Sequence, residues 1–181
     1  MKKIEGLSVI GLLLIVLSSC SKSEPNQTTA PPAAPSPSAV RRIASIDVVK
    51  VSPEEVTISA GGSGVASVRV AIDKGYHVNA NPPTFPYLKP TELIFKATPS
   101  ISISSVKYPG ATTRKFQFAE KPLAVYEGSI TIPIPLTAEA GAQGQRTIPF
   151  KIRVQACDTQ QCYPPATLDA SLPIDAASIK K

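Results

Sequence analysis

The sequence contains few of the side chains that bind transition metals: one histidine, one methionine and three cysteines among 181 residues. A structural zinc site commonly needs four cysteine or histidine ligands, and a copper site needs more histidine or methionine than this chain has. We therefore predict neither a metal nor another cofactor. The single histidine, His77, stands beside Tyr76 in a predicted loop, where packing or hydrogen bonding is commoner than metal binding or catalysis.

Signatures of hydrolysis and of nucleic-acid binding are missing as well. The serine nucleophile of an α/β-hydrolase stands in a Gly-x-Ser-x-Gly turn, and the sequence has none. The net charge of +6 is modest, and lysine and arginine form no extended cluster with interleaved aromatic residues. Such a cluster is the usual footprint of nucleic-acid binding, so we predict no nucleic-acid partner.

Long apolar segments are also absent. The longest apolar stretch, residues 7–17, covers about eleven residues, whereas a membrane-spanning helix needs roughly twenty. The stretch follows two lysines and is followed by two serines and Cys20. A basic start, a short apolar stretch and small residues are typical of a signal peptide, which we predict at residues 1–19.

Cys20 is the predicted attachment point of a lipid. The sequence LSSC at residues 17–20 resembles the lipobox of bacterial lipoproteins, in which the cysteine receives a diacylglyceryl group and becomes the new amino terminus. Each buried CH₂ group contributes about 0.8 kcal/mol, so two or three acyl chains would anchor the protein to a membrane. Ser21 stands where an Asp often retains lipoproteins at the inner membrane, which favours the outer membrane and a periplasm-facing protein. The alternative is an ordinary secretory signal followed by a free cysteine.

The remaining chain divides into a linker, one domain and a tail. Residues 20–41 are rich in proline, alanine and serine with almost nothing to bury, which predicts a disordered linker after the lipidated Cys20. About 160 residues remain once the signal is removed, enough for one domain with a modest core. We place this domain at residues 42–177 and a short basic tail at residues 178–181.

The predicted domain is rich in β-strands. Short segments of Val, Ile and Thr alternate with polar residues, and no segment of ten or more residues has a helical period. The pattern predicts an all-β fold, an immunoglobulin-like antiparallel β-sandwich. The predicted strands are 45–51, 55–60, 65–72, 92–97, 101–107, 128–136, 147–156 and 166–174.

Prolines and aromatic residues mark less regular parts of this pattern. Pro133 and Pro135 lack an N–H donor, so we expect their strand to lie at a sheet edge or to be only partly paired. Residues 75–90 and 108–127 are predicted to be ordered loops. Aromatic side chains in such loops either cover the core or contact a partner.

Cys157 and Cys162 form an even pair once Cys20 is assigned to a lipid, and disulfides persist in exported proteins. We predict that they bond to each other, with residues 158–161 as a hairpin loop. Residues that face each other across such a loop have Cα atoms roughly 4.5–5.5 Å apart, within the range that a disulfide requires.

The residues alone leave two roles open for this disulfide. A disulfide that closes a loop of about six residues stabilises the fold by only about 2 kcal/mol, which is little for a structural role. Accessible disulfides at loop tips are typically labile or catalytic, which favours a redox role. Two observations count against a redox role. The spacing of the two cysteines differs from that of thioredoxin-like motifs, and no helix terminus is predicted that would lower a thiol pKa.

The sequence CDTQQCYPP at residues 157–165 resembles the active-site segment of the N-terminal periplasmic domain of the thiol:disulfide interchange protein DsbD. GYHVN at residues 75–79 and VYEG at residues 125–128 resemble that domain too, and the similarity extends over residues 45–175. The resemblance implies an immunoglobulin-like fold and a cysteine pair that transfers electrons. It also implies that Cys162 attacks the partner's disulfide and that Cys157 resolves the mixed disulfide.

The resemblance implies partners and a protective loop as well. The donor would be a thioredoxin-like or membrane-embedded thiol reductase, and the acceptors periplasmic disulfide proteins. Larger family members continue into membrane helices and a thioredoxin-like domain, whereas this chain ends at Lys181, so we expect the donor to be a separate protein. The candidates for the aromatic cap over the disulfide, or for partner contacts, are Phe116, Phe118, Glu120, Tyr76, His77, Tyr126 and Tyr163. The alternative function is a non-catalytic immunoglobulin-like lipoprotein that binds an envelope protein, with a structural disulfide.

Overall fold

The computed structural model describes residues 43–177, and it contains strands but no helix within this range. The predicted signal peptide, Cys20, the linker and the basic tail lie outside the described residues. None of the residues from 43 to 177 forms a helix long and apolar enough to cross a membrane. The strands are β1 (Val49–Glu54), β2 (Val56–Ser59), β3 (Ser63–Ile72), β4 (His77–Asn79), β5 (Glu92–Phe95), β6 (Ile101–Ile103), β7 (Thr112–Arg114), β8 (Leu123–Tyr126), β9 (Ser129–Ala138), β10 (Gly144–Val154), β11 (Ala156–Cys157) and β12 (Ala166–Ala177).

Two larger sheets form an immunoglobulin-like β-sandwich. One sheet has the order β1-β3-β9-β6, with antiparallel pairs throughout. The other has the order β2-β12-β10-β5, antiparallel except for the parallel pair of β2 and β12. A third sheet, β11-β4-β8-β7, is built from the short strands and includes one of the two predicted active cysteines.

The core lies between the two larger sheets because their strands alternate in burial. In β9, Ile132, Ile134 and Leu136 are buried while the residues between them are more exposed, and β10 buries every second residue from Ile148 to Val154 in the same way. These side chains belong to one continuous apolar cluster. Burying each of them contributes roughly 1.5–3 kcal/mol, which explains why strands with this pattern pack face to face.

All eight predicted strands exist, with shifted ends. The first strand begins at Val49 rather than at residue 45, and the strand predicted at 101–107 ends at Ile103. Residues 44–47 form a turn instead, in which the Asp47 N–H donates to the Ala44 carbonyl at 2.9 Å. The predicted strand 147–156 is divided at Gln155 into β10 and the two-residue β11.

The prediction that residues 75–90 and 108–127 are loops is partly wrong. Residues 75–90 contain β4, and residues 108–127 contain β7 and β8. These strands have three or four residues, and β4 is buried on both faces, so they have no alternation that the sequence could reveal.

The strand with Pro133 and Pro135 is not at a sheet edge, because β9 lies between β3 and β6. The expected partial pairing is confirmed: β3 pairs with β9 along nine residues, whereas β6 pairs only with the three residues from Leu136 to Ala138. The Pro135 carbonyl accepts the Ser104 N–H on the β6 side, so the two ring nitrogens also face that side. The missing donors therefore fall where β9 has few partners.

Candidate active site

Cys157 and Cys162 face each other across a short hairpin, and a disulfide joins them. The Asp158 N–H donates to the Gln161 carbonyl at 2.9 Å, and the Tyr163 N–H donates to the Ala156 carbonyl at 2.8 Å. The two Cα atoms of the disulfide are 3.9 Å apart, closer than the expected spacing. The predicted pairing and the predicted hairpin are confirmed.

The Asp158 carboxylate organises the loop between the cysteines. It accepts the N–H groups of Gln160 and Gln161 at 2.7 and 2.8 Å and the Tyr163 hydroxyl at 2.6 Å. Burial alone would raise the pKa of Asp158, but the hydrogen bonds from Tyr163 and from the two amides outweigh it and lower this pKa. The hydrogen bond to Asp158 is also the main reason why the pKa of Tyr163 is raised to about 12. The Tyr163 hydroxyl therefore remains a donor at neutral pH.

The two sulfur atoms differ in accessibility. Cys157 is fully buried at 0% exposure, whereas Cys162 is half-buried. Cys162 also lines a cavity of about 280 Å³ together with Tyr87, Leu88 and Phe118. Cys162 is therefore the side of the disulfide that another molecule can approach.

His77 lies in the neighbouring strand β4, directly opposite Cys157. It is only 3% exposed, and its ring stacks on Phe116 with 4.1 Å between the ring centroids. Burial lowers the pKa of His77 below its ordinary value, although the nearby carboxylates of Glu127 and Asp158 act in the opposite direction. The position is thus a packed one, as the sequence favoured, but it adjoins the disulfide.

The loop between β7 and β8 supplies an aromatic cover beside the disulfide. Phe116 packs against a small apolar cluster of Leu88, Leu123 and Val125, and it stacks on Phe118 with 5.4 Å between the ring centroids. Phe118 is 38% exposed and shares the cavity with Cys162. Phe116 and Phe118, two of the predicted cap residues, therefore lie beside the site.

A lysine closes this loop. The Lys115 ammonium donates to the backbone carbonyls of Ala119 and Glu120, at 3.0 and 2.9 Å. The third predicted cap residue, Glu120, therefore contributes its backbone carbonyl, and its side chain is exposed. Hydrogen bonds between residues of the loop therefore stabilise its conformation.

Of the predicted partner contacts, Tyr76 and Tyr163 lie together, with 6.2 Å between their ring centroids. Tyr126 lies elsewhere, in the core, and is 1% exposed. Its hydroxyl donates to the Pro109 carbonyl at 3.1 Å and accepts the Asn81 N–H at 3.2 Å. Tyr126 is therefore a core residue and offers no surface to a partner.

Several contributors to the site were not predicted, among them Asp158, Tyr87 and Gln155. Tyr87, 70% exposed and stacked on Phe85, lines the cavity beside Cys162. Gln155 joins this region to the hairpin, because its side-chain oxygen accepts the Lys89 N–H at 2.8 Å while its amide donates to the Tyr163 carbonyl at 3.3 Å. The cluster of aromatics at residues 75–90 pointed toward Tyr87, whereas nothing in the sequence distinguished Gln155.

Comparison with known proteins places these features in context. The family model described as "Thiol:disulfide interchange protein DsbD, N-terminal" matches residues 47–173. The chain is similar in structure to the N-terminal periplasmic domain of ScsB from Proteus mirabilis, with 15% identity and a TM-score of 0.47 over 70% of this chain and 45% of that one. It is also similar to the reduced DsbD N-terminal domain of Neisseria meningitidis, with 16% identity and a TM-score of 0.38 over 65% of this chain and 82% of that one. A comparison with curated protein sequences gives no match.

Proposed function

Because the chain belongs to the family of DsbD N-terminal domains, we propose that it is a thiol:disulfide exchange module of the protein-disulfide reductase type. Its Cys157–Cys162 pair would alternate between the disulfide and the dithiol. The observation that supports this proposal most strongly is the unequal exposure of the two cysteines, with a half-buried Cys162 beside an open cavity and a buried Cys157 behind it.

This asymmetry supports the following order of steps. The Cys162 thiolate attacks one sulfur of the partner's disulfide, a mixed disulfide forms, and the other partner sulfur leaves as a thiolate. Cys157 then attacks the sulfur of Cys162, which restores the internal disulfide and releases the second partner thiolate. Two electrons pass to the partner, whose disulfide is reduced, while the Cys157–Cys162 pair is oxidised. The same steps in reverse, with a reduced donor, reduce the Cys157–Cys162 disulfide to the dithiol again.

The aromatic cover suits this cycle. Phe116 and Phe118 would shield the reduced pair from small oxidants until a partner displaces the loop, which is the general purpose of such lids. Shielding matters because an exposed dithiol loses its electrons to any accessible oxidant.

We place the module at the periplasmic side of the cell envelope, attached through a lipid on Cys20, with the outer membrane favoured. Its donor would be a thioredoxin-like or membrane-embedded thiol reductase, and its acceptors periplasmic disulfide proteins. The linker at residues 20–41 would let the domain at residues 42–177 meet these partners at a distance from the anchor.

The reduction potential of the Cys157–Cys162 pair tests this function. We expect a value well above about −300 mV, because structural disulfides in exported proteins have values below that figure. A value below it would support the alternative, a non-catalytic lipoprotein that binds an envelope protein.

A trapping experiment tests the order of attack. Cys157→Ala is expected to accumulate partners in mixed disulfides on non-reducing gels, because Cys162 attacks and nothing resolves the product. Cys162→Ala is the matched control and should trap little, since its remaining thiol is buried. Equal trapping by both variants would contradict the assigned order.

A further inference from the structure

His77 and Cys157 are direct cross-strand partners, in β4 and β11. Opposite residues in an antiparallel pair have Cβ atoms about 4.5–5.5 Å apart and side chains on the same face of the sheet. Both side chains are buried, at 3% and 0% exposure. The His77 and Cys157 side chains are therefore buried neighbours on one face of the small sheet.

Cys157 needs help to become a nucleophile. Only the thiolate attacks a disulfide, and burial in apolar surroundings raises a thiol pKa. The Asp158 carboxylate is the next residue along the chain, and a second negative charge beside it is unfavourable. A buried Cys157 thiol thus needs a nearby group that accepts its proton at the moment of attack.

The His77 ring is suited to accept that proton. Its Nε2 atom is buried and has no hydrogen-bond partner among the residues that the structure describes. Burial lowers the pKa of His77, so the imidazole is neutral at pH 7 and one ring nitrogen has a free lone pair. Phe116 stacks against the ring and fixes its plane.

The charges around the ring also favour a proton transfer. His77 and Phe116 line a second cavity, of about 420 Å³, which is distinct from the one beside Cys162. Four charged side chains line this second cavity or act on the ring: Asp73, Lys74, Glu127 and Asp158. The carboxylates of Glu127 and Asp158 stabilise an imidazolium. Asp73 and Lys74, which line the cavity, have charges of opposite sign. Glu127 is itself paired with Arg114 at 2.8 Å, which weakens its effect. A transient imidazolium is further stabilised by the thiolate that its own formation creates.

Resting on the proposed function, we propose that His77 is the general base that activates Cys157 in the resolving step. Once the mixed disulfide at Cys162 has formed, the Cys157 thiol gives its proton to Nε2 of His77. The thiolate attacks the Cys162 sulfur, the internal disulfide forms, and the partner's sulfur leaves as a thiolate. The imidazolium then returns the proton to that thiolate or to water, so atoms and charges balance. In the reverse direction His77 protonates Cys157 as it leaves.

Stopped-flow reaction with an aromatic disulfide, dithiobis(nitrobenzoate), separates the two steps. The experiment takes the full reduced chain with Cys20→Ser, so that only Cys157 and Cys162 can react. One coloured thiolate is released when Cys162 attacks and a second when Cys157 resolves. At pH 7, His77→Gln should slow the second phase roughly 100-fold, the lower range for positioned proton transfer, and leave the first phase nearly unchanged.

The pH profile distinguishes a base from a packing residue. With His77 present, the second phase slows as the pH falls through the His77 pKa, and His77→Gln lacks this inflection. The two chains converge at alkaline pH, where the thiol ionises unaided. His77→Phe keeps a ring against Phe116 but has no proton acceptor, so it should behave as His77→Gln does.

Three results would overturn the role of His77. One is an unchanged rate of the second release in His77→Gln, and another is an unchanged rate of that release in His77→Phe, which would leave His77 only a packing role. The third comes from nuclear magnetic resonance of the unaltered chain, which has a single histidine. Reduction of the disulfide should shift the Nε2 resonance as the new thiol hydrogen-bonds to it, and no shift would contradict the proposal even if the variants failed to fold. Absence of the first phase would instead refute the exchange function itself.

Discussion

At the scale of single residues, the loop between the cysteines is governed by one carboxylate. Asp158 accepts three hydrogen bonds within six residues of chain, two of them from backbone amides. The same charge opposes a thiolate at the adjacent Cys157. The site therefore combines a stable loop with an electrostatic obstacle to resolution, which is the situation that a base at His77 would relieve.

The Tyr163 hydroxyl reports on this carboxylate. Its pKa of about 12 results first from the hydrogen bond to Asp158, so Asp158→Asn should move it toward the ordinary value of 10. The folded state favours the protonated hydroxyl, so the stability gained is complete below pH 10 and is lost as the pH rises from 10 to about 12. Titration of tyrosinate absorbance measures the shift.

The chain has five tyrosines, so the titration needs a control. Tyr163→Phe removes the component that belongs to Tyr163 and so identifies it. If Asp158→Asn leaves that component in place, the carboxylate is not the cause of the raised pKa.

Sequence reasoning found the cysteines and several aromatic residues beside them, but neither Gln155 nor the pairing of His77 with Cys157, and the reason is the distance along the chain. Cys157 and Cys162 are five residues apart, so their pairing is a local property. Gln155 acts on the site by binding the backbone of Lys89, 66 residues away, and His77 faces Cys157 only through strand pairing. Contacts of this kind depend on the sheet register, which one sequence does not reveal.

At the scale of elements, the same distinction separates predicted from unpredicted strands. β9 and β10 each bury one face, so alternation of apolar residues predicts them. β8, with the burial of Leu123, Val125 and Tyr126, has almost no polar face and only four residues. The small sheet that positions the active site is therefore the part of the fold with the weakest sequence signal.

The conformation of the β7–β8 loop depends on hydrogen bonds from a single lysine side chain. Lys115→Ala removes both hydrogen bonds that close the loop onto the carbonyls of Ala119 and Glu120. Phe118 should then leave the cavity beside Cys162 more often. We expect alkylation of Cys162 in the reduced chain to become several-fold faster, measured with iodoacetamide and mass spectrometry.

Lys121→Ala is the matched control, since Lys121 is an exposed lysine at the end of the same loop. It should leave the alkylation rate of Cys162 unchanged. Equal acceleration by both variants would show that the charge of the loop, and not its closure, sets the reactivity.

At the scale of the whole molecule, the described chain begins beside the active site. Ile43 and Ala44 line a cavity of about 580 Å³ with Tyr163, Pro164 and Pro165. Buried Ser45 fixes this arrangement, because its hydroxyl donates to the Pro164 carbonyl at 2.7 Å and accepts the Ala156 N–H at 3.0 Å. Residues 43–45 therefore lie at the same end of the domain as the hairpin that holds the disulfide.

The lipid proposed at Cys20 would keep the disulfide near a membrane, at a distance set by the linker at residues 20–41. The lipid itself is tested by labelling cells with palmitate. The natural chain should incorporate the label and Cys20→Ala should not, whereas Cys162→Ala, which also removes one thiol, should keep it. A natural chain without label would refute the anchor. Replacing residues 1–20 by an ordinary cleavable secretory signal should release the protein from membranes. The reduction potential of Cys157–Cys162 should stay the same, because the anchor and the redox pair are separate parts of the molecule.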